Sequence, residues 1–244
     1  MMSTYQVGTY LQARKWHRWG SVEYGSPVPG QVIGGRWKPL HYMLKGSTFA
    51  DVTGSVCGMC PAAENVYVKN DGAFDFHGSV VVTFTDFTTG TAVVALNESV
   101  TLEAGAQTMR WMGTGALPPN STHGVTMTIR HSSGIIAAHK ELILAPPHAL
   151  RLPAVVATAV VAAAPNADGS VDILVMAEGG AAVYTVLTTK AQGRFSDNAF
   201  LVASGGGGET AATFTKRVSF LPWGALDLAL LKSSLRVEHL QENL

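Results

Sequence analysis

Every second side chain is apolar through Val80, Val82 and Phe84, with Thr83 and Thr85 filling the alternate places. The same period runs through Val125, Met127 and Ile129, where Thr126, Thr128 and Arg130 alternate with them. Successive side chains of an extended strand point to opposite faces, so each run predicts a strand with one buried and one wet face. Residues 65–69, 92–96, 108–112 and 135–144 predict further strands, separated by Gly, Asn, Asp and Pro clusters. Strands spaced so closely are typical of an all-β sandwich. Pro146 and Pro147 then interrupt, since neither can donate to a ladder. Beyond them 155–163 predicts a strand, Val171, Ile173 and Val175 alternate on the next, and 182–188, 199–203 and 213–220 follow. The run 154–164, rich in Val and Ala, reads as a buried strand. Four glycines at 205–208 predict a flexible hairpin tip. Residues 225–232 predict one or two helical turns. A last strand over 234–240 is expected to bury Leu235 and Val237 and expose Arg236 and Glu238.

The first 46 residues follow another period. Trp37, Leu40, His41 and Leu44 stand at i, i+3, i+4 and i+7, a one-sided helical stripe. Gly35 is placed to cap that helix, and Pro39 falls in its first turn, where a missing N–H costs little. Upstream, 19–25 reads as an aromatic-rich strand end or loop, and 26–33, with two prolines and a glycine, as a loop. The chain therefore divides into 1–46, a strand-loop-helix unit, and two β-rich segments, 47–147 and 148–244. Each of the latter is about the length of an immunoglobulin-like domain.

Composition narrows the functional classes. Hydrophobic residues make up 47%, ample for packed cores, while charged residues make up only 14%, against roughly 25% in ordinary soluble domains. That deficit fits a Gly/Ala/Thr/Val-rich β protein, or a surface covered by other protein. Seventeen acidic and seventeen basic residues cancel and no basic stretch stands out, which argues against nucleic acid as a partner. The run 154–164 is about half the length of a membrane helix, so no membrane partner is expected. Residues 1–20 have no apolar centre, and no signal peptide is read there.

Cys57 and Cys60 form a lone Cys-x-x-Cys. A zinc site needs four ligands, and the nearest histidines, His41 and His77, lack the spacing. A structural or incidental pair is the first reading and metal or redox chemistry the second; no metal or cofactor is expected. The glycines at 205–208 lack the Lys-Ser/Thr of a phosphate loop, and no Gly-x-Ser-x-Gly elbow is present. Asn97-Glu98-Ser99 and Asn120-Ser121-Thr122 are candidate glycosylation sequons, meaningful only in a secretory lumen.

Two stretches carry a family resemblance. The first is Trp19-Gly20-Ser21-Val22-Glu23-Tyr24-Gly25, resuming as Gly35-Arg36-Trp37-Lys38-Pro39-Leu40-His41-Tyr42. It resembles the last β/α unit of the catalytic barrel of β-mannosidases in glycoside hydrolase family 2. The second is Gly193-Arg194-Phe195-Ser196-Asp197-Asn198-Ala199-Phe200-Leu201, then Phe220-Leu221-Pro222-Trp223. It resembles the final immunoglobulin-like domain of the same enzymes. Over 52–191 only the β-rich character agrees, and 26–33 has no counterpart in the family.

The resemblance implies a mostly β chain: two immunoglobulin-like β-sandwiches preceded by one residual strand-loop-helix unit of a truncated (β/α)8 barrel. It implies the C-terminal portion of an enzyme that removes terminal non-reducing β-D-mannose residues, lysosomal or secreted. Its partners would be the missing barrel domain and an oligosaccharide ending in β-mannose. Retaining glycosidases use two carboxyl groups about 5 Å apart, and the family takes them from barrel strands four and seven. A complete barrel takes about 250 residues, and 46 precede the sandwiches, so both carboxylates are expected upstream. No catalytic residue is assigned, and the chain alone is expected to be inactive. Trp19, Glu23 and Tyr24 fall at the strand-eight end, which faces the active site, and are candidates for substrate contact. A structural or positioning role is the alternative for Glu23, and core packing for the two aromatics. Trp111, Trp223 and Phe195 are read as sandwich core, and Asp197-Asn198 as a turn bonding its own backbone. The competing reading is a stand-alone, non-catalytic carbohydrate-binding or protein-interaction module.

Overall fold

The structure is a computed structural model that describes residues 22–23, 36–37, 39–46, 50–105, 109–203 and 213–243. Its strands are β1 (Val22–Glu23), β2 (Arg36–Trp37), β3 (Val52–Val56), β4 (Val66–Asn70), β5 (Phe76–Asp86), β6 (Ala92–Leu102), β7 (Arg110–Met112) and β8 (His123–His131). They continue as β9 (Ile136–Ile143), β10 (Val156–Val161), β11 (Val171–Glu178), β12 (Ala182–Thr188) and β13 (Gly193–Phe195). The last are β14 (Phe200–Val202), β15 (Thr213–Pro222) and β16 (Arg236–Glu238). The described residues also form two α-helices, α1 (Pro39–Lys45) and α2 (Leu228–Ser234). The described chain packs as two compact units. One is built on Met43–Asp86 and Thr91–Arg151, the other on Phe87–Gly90 and the described parts of Leu11–Tyr42 and Leu152–Leu244.

In the first unit, an antiparallel sheet of order β6–β5–β8–β9 and a three-stranded one of order β3–β4–β7 share a core. The alternation seen in the sequence sets it. Val80 pairs with Ile129 and Val82 with Met127, and all four side chains turn inward and are fully buried. Val52, Val56, Val66, Val68 and Met112 close the core from the other sheet. Burying one such side chain contributes about 1.5–3 kcal/mol, so the sandwich rests on this two-residue period. β3 was absent from the strands read in the sequence, because Gly54 interrupts its apolar run. The glycine is required there: a Cβ would lie 2.4 Å from the Met127 Cε and 2.5 Å from the Tyr67 carbonyl oxygen.

The second unit sets a sheet of order β10–β11–β15–β13 against one of order β14–β12–β16. Val171, Ile173, Val175, Phe214, Val218, Phe220, Leu187 and Phe200 fill its core, and α2 adds the fully buried Leu231. The helix begins later than 225–232 implied. Asp227 caps it, its Oδ1 accepting the Leu230 N–H at 2.8 Å, and an N-cap carboxylate fixes where helical geometry starts. The final strand is correspondingly short, with Leu235 and Val237 packed on the core and Arg236 and Glu238 exposed as expected.

The run 154–164 is not a buried strand. β10 ends its sheet, pairing with β11 among the described residues, and Val156 and Val160 are 65% and 56% exposed. Its Ala157, Ala159 and Val161 face inward and pack on the core. An apolar residue on both faces therefore marks a sheet margin here, not its centre.

The helical stripe is also shorter than the sequence implied. Trp37 lies in β2, opposite Val22, while Glu23 pairs with Arg36, and the helix starts at Pro39. Its pairing with Val22 commits Trp37 to extended geometry and takes it out of the helical stripe. Among the described side chains of α1, Tyr42 is the buried one. Trp19, Tyr24, Gly35 and residues 26–33 lie outside the described residues, as do the 205–208 glycines.

Candidate functional site

The two parts of the second stretch, 193–201 and 220–223, meet inside the second unit. β13 pairs with β15 so that Gly193, Arg194 and Phe195 oppose Pro222, Leu221 and Phe220. Gly-Arg-Phe and Phe-Leu-Pro are thus two strands of one ladder, with the Phe195 and Phe220 rings edge-on at 5.5 Å. A Cβ on Gly193 would lie 2.5 Å from the Leu221 carbonyl oxygen, so the close approach needs glycine.

Tyr42 of α1 reaches this ladder. Its hydroxyl oxygen accepts the Phe195 backbone N–H at 3.1 Å. Burial pushes the phenol up to about 12; the Phe195 hydrogen bond and the Arg194 charge oppose that shift, and the Asp197 charge adds to it. Nothing in the periodicity distinguished Tyr42 from its neighbours, since the stripe ran through Leu40, His41 and Leu44.

Asn198 makes the second tie. Its Oδ1 accepts the Leu187 N–H at 2.8 Å while its Nδ2 donates to the Leu187 carbonyl oxygen at 2.9 Å. The carboxamide therefore takes the place of a strand neighbour for β12. The expected turn is present as well: the Asn198 N–H donates to Asp197 Oδ1 at 2.8 Å, and the Ala199 N–H to Asn198 Oδ1 at 3.0 Å. Ala199 then adopts a φ of 59°, in the left-handed region. Lys216 pairs with Asp197 at 2.8 Å and lies 4.6 Å from the centre of the Phe200 ring. These polar groups are spent on one another, which makes the Ser-Asp-Asn stretch a structural knot.

The carboxylates with displaced acidity point away from acid catalysis. Hydrogen bonds from the Ser170 hydroxyl and N–H hold Asp168 below the usual range, and Asn166, Arg217 and Ser219 do the same for Asp172. A general acid working near neutrality needs the opposite displacement.

The other residues fall as follows. Glu23 lies in β1, its side chain outside the described set. Asn97 is exposed on β6 and Asn120 in a turn after Pro119. Cys57 and Cys60 are joined in a disulfide. Phe195 is core, whereas Trp223 is half-buried and donates its backbone N–H to the Gln192 carbonyl oxygen. Trp111 is not core. It is 43% exposed, because on β7 the inward place belongs to Met112, and Trp111 lies on the other face against the Tyr67 ring at 5.4 Å. A hollow of about 190 Å³ in the first unit is lined by Asp51, Phe74, Asp75 and His131 among others. Sites for small organic ligands run to about 300–1,000 Å³, so it assigns no ligand.

Two sheets of four and three antiparallel strands around one core make the second unit's domain an immunoglobulin-like sandwich. Residues 151–243 match the Ig_mannosidase family model, an Ig-fold domain. The resemblance drawn from 193–201 and 220–223 is thereby borne out. Among solved structures, a β-D-mannosidase from Dictyoglomus thermophilum aligns with a TM-score of 0.58 and 16% identity, over 83% of this chain and 23% of that one. An exo-chitosanase from Amycolatopsis orientalis aligns with a TM-score of 0.47 and 17% identity, over 82% of this chain and 26% of that one. The chain thus spans about a quarter of the length of either protein. Comparison with curated proteins gives no match.

Proposed function

We propose that the chain is the C-terminal portion of a β-mannosidase-like family 2 glycoside hydrolase. The full enzyme would hydrolyse terminal non-reducing β-D-mannose residues. Segments 47–147 and 148–244 act as its accessory sandwiches and 1–46 as the end of its catalytic barrel. Both catalytic carboxylates belong to the barrel beyond these residues, and Trp19, Glu23 and Tyr24 border the sugar. The observation that best supports the reading is the Tyr42–Phe195 hydrogen bond. It ties the helix of the barrel-like stretch to the strand carrying the Ig_mannosidase signature, as expected of a barrel end seated on its own accessory domain.

A chromogenic β-D-mannoside assay tests this. The chain alone gives no turnover, and the same chain preceded by the rest of a family 2 barrel does. In the active protein, Trp19→Ala or Tyr24→Ala raises KM. Hydrolysis by the isolated chain, lost on changing one of its own carboxylates, would refute the proposal.

A further inference from the structure

The asparagines whose side chains are described fall into two groups. Asn65, Asn70 and Asn198 are buried and Asn166 lies at the surface, yet all four commit their carboxamides to the fold. Asn65 Nδ2 donates to Thr114 Oγ1 at 2.9 Å, and Asn70 Nδ2 to the Phe74 carbonyl oxygen at 2.8 Å. Asn166 Nδ2 donates to Ser170 Oγ at 3.0 Å, and Asn198 Nδ2 to Leu187 as described. Asn97 and Asn120 differ: both are exposed, and neither carboxamide has a hydrogen-bond partner among the described residues. These two alone carry a serine or threonine two positions on, Ser99 and Thr122. A glycan on any of the three buried asparagines would break the core; on these two it extends into solvent.

We propose that Asn97 and Asn120 are N-glycosylated, and that the Asn97 glycan shields the open margin of the four-stranded sheet. β6 ends that sheet, with β5 as its one strand partner among the described residues, and its Val93 and Val94 are 60% and 58% exposed. An apolar strand with an unpaired edge is a template for self-association. Asn97 follows them by three and four residues, about 10–13 Å at ~3.3 Å per residue. A bulky, hydrated oligosaccharide there stands across the edge. The Cys57–Cys60 disulfide belongs to the same setting, since disulfides form and persist in oxidising lumens. In the transfer, the asparagine Nδ2 forms a bond to the anomeric carbon of a lipid-diphosphate-linked oligosaccharide. The bond from that carbon to the diphosphate oxygen breaks, and the amide proton leaves with the lipid diphosphate.

The test is the full chain behind a secretory leader, translated with microsomal membranes and also secreted from eukaryotic cells. Two mass increments are expected, both removed by peptide N-glycosidase, with Asn97→Gln and Asn120→Gln each deleting one. The microsomal arm reads attachment even for a variant that fails to leave the cell. An imported chain lacking the increment at either asparagine overturns that site. Secreted Asn97→Gln and Ser99→Ala, which both lose the Asn97 glycan, are expected to hold a several-fold larger oligomer fraction than Asn120→Gln at equal circular dichroism. Equal oligomer fractions overturn the shielding role.

Discussion

Tyr42 concentrates much of what a single residue can do here. Its buried hydroxyl accepts the Phe195 backbone N–H. Phenylalanine at 42 keeps the ring but leaves the Phe195 N–H unpaired, at a cost of about 1–3 kcal/mol. The phenol also links stability to pH. Tyrosine ionises near 10 in the unfolded chain and at about 12 in the folded one, so the unfolded chain loses its proton first. The contribution is fully present below pH 10 and is lost as pH rises through 12, on the order of 2–3 kcal/mol in all. Tyr67, raised by burial, acts in the same direction. Urea midpoints measured from pH 8 upward should therefore fall more steeply in the native protein than in Tyr42→Phe; parallel slopes would refute the linkage. Little of this was legible in the sequence. Tyr42 was one letter of a motif, and the partner that buries it is 153 residues away. Asn198 was half legible: its turn is local, but its pairing with Leu187 depends on where β12 runs.

At the scale of elements, legibility follows the number of buried faces. The strand read at 182–188 has the limits of β12, and β5 and β8 were plain because one wet face enforces the two-residue period. The pattern failed where that contrast is missing. Gly54 hid β3, and apolar residues on both faces of β10 imitated a central strand. The helix before β16 was visible but misplaced, for its start depends on a cap and its hold chiefly on the fully buried Leu231, with Leu228 beside it. Leu231→Ala empties a fully buried site and should cost about 2–5 kcal/mol. Asp227→Ala frees one N–H at an exposed helix start and should cost about 0.5–2 kcal/mol. Chemical denaturation of the two variants decides whether α2 is held by its packing or its cap; an equal or inverted order would sink the packing account.

For the whole molecule, the charge balance and the apolar margins act together. Seventeen charges of each sign cancel and the isoelectric point lies near 7.1, so self-repulsion is weakest near neutral pH. That balance was readable from composition. The place where it matters was not, because the sequence put 154–164 inside, and the candidate sugar contacts Trp19, Glu23 and Tyr24 came from resemblance alone. Val156 and Val160 now sit on an end strand with their side chains largely in water. Replacing both by lysine adds two positive charges to that margin and leaves the inward Ala157, Ala159 and Val161 untouched. Charged side chains on a sheet edge block strand addition, and exposed positions change stability by only about 0.5 kcal/mol. The double variant should therefore keep its urea midpoint while its light scattering at pH 7 falls well below that of the native chain. The gain should shrink at pH 5 and pH 9, where net charge already keeps copies apart. Unchanged scattering at pH 7 would show that this margin does not drive association.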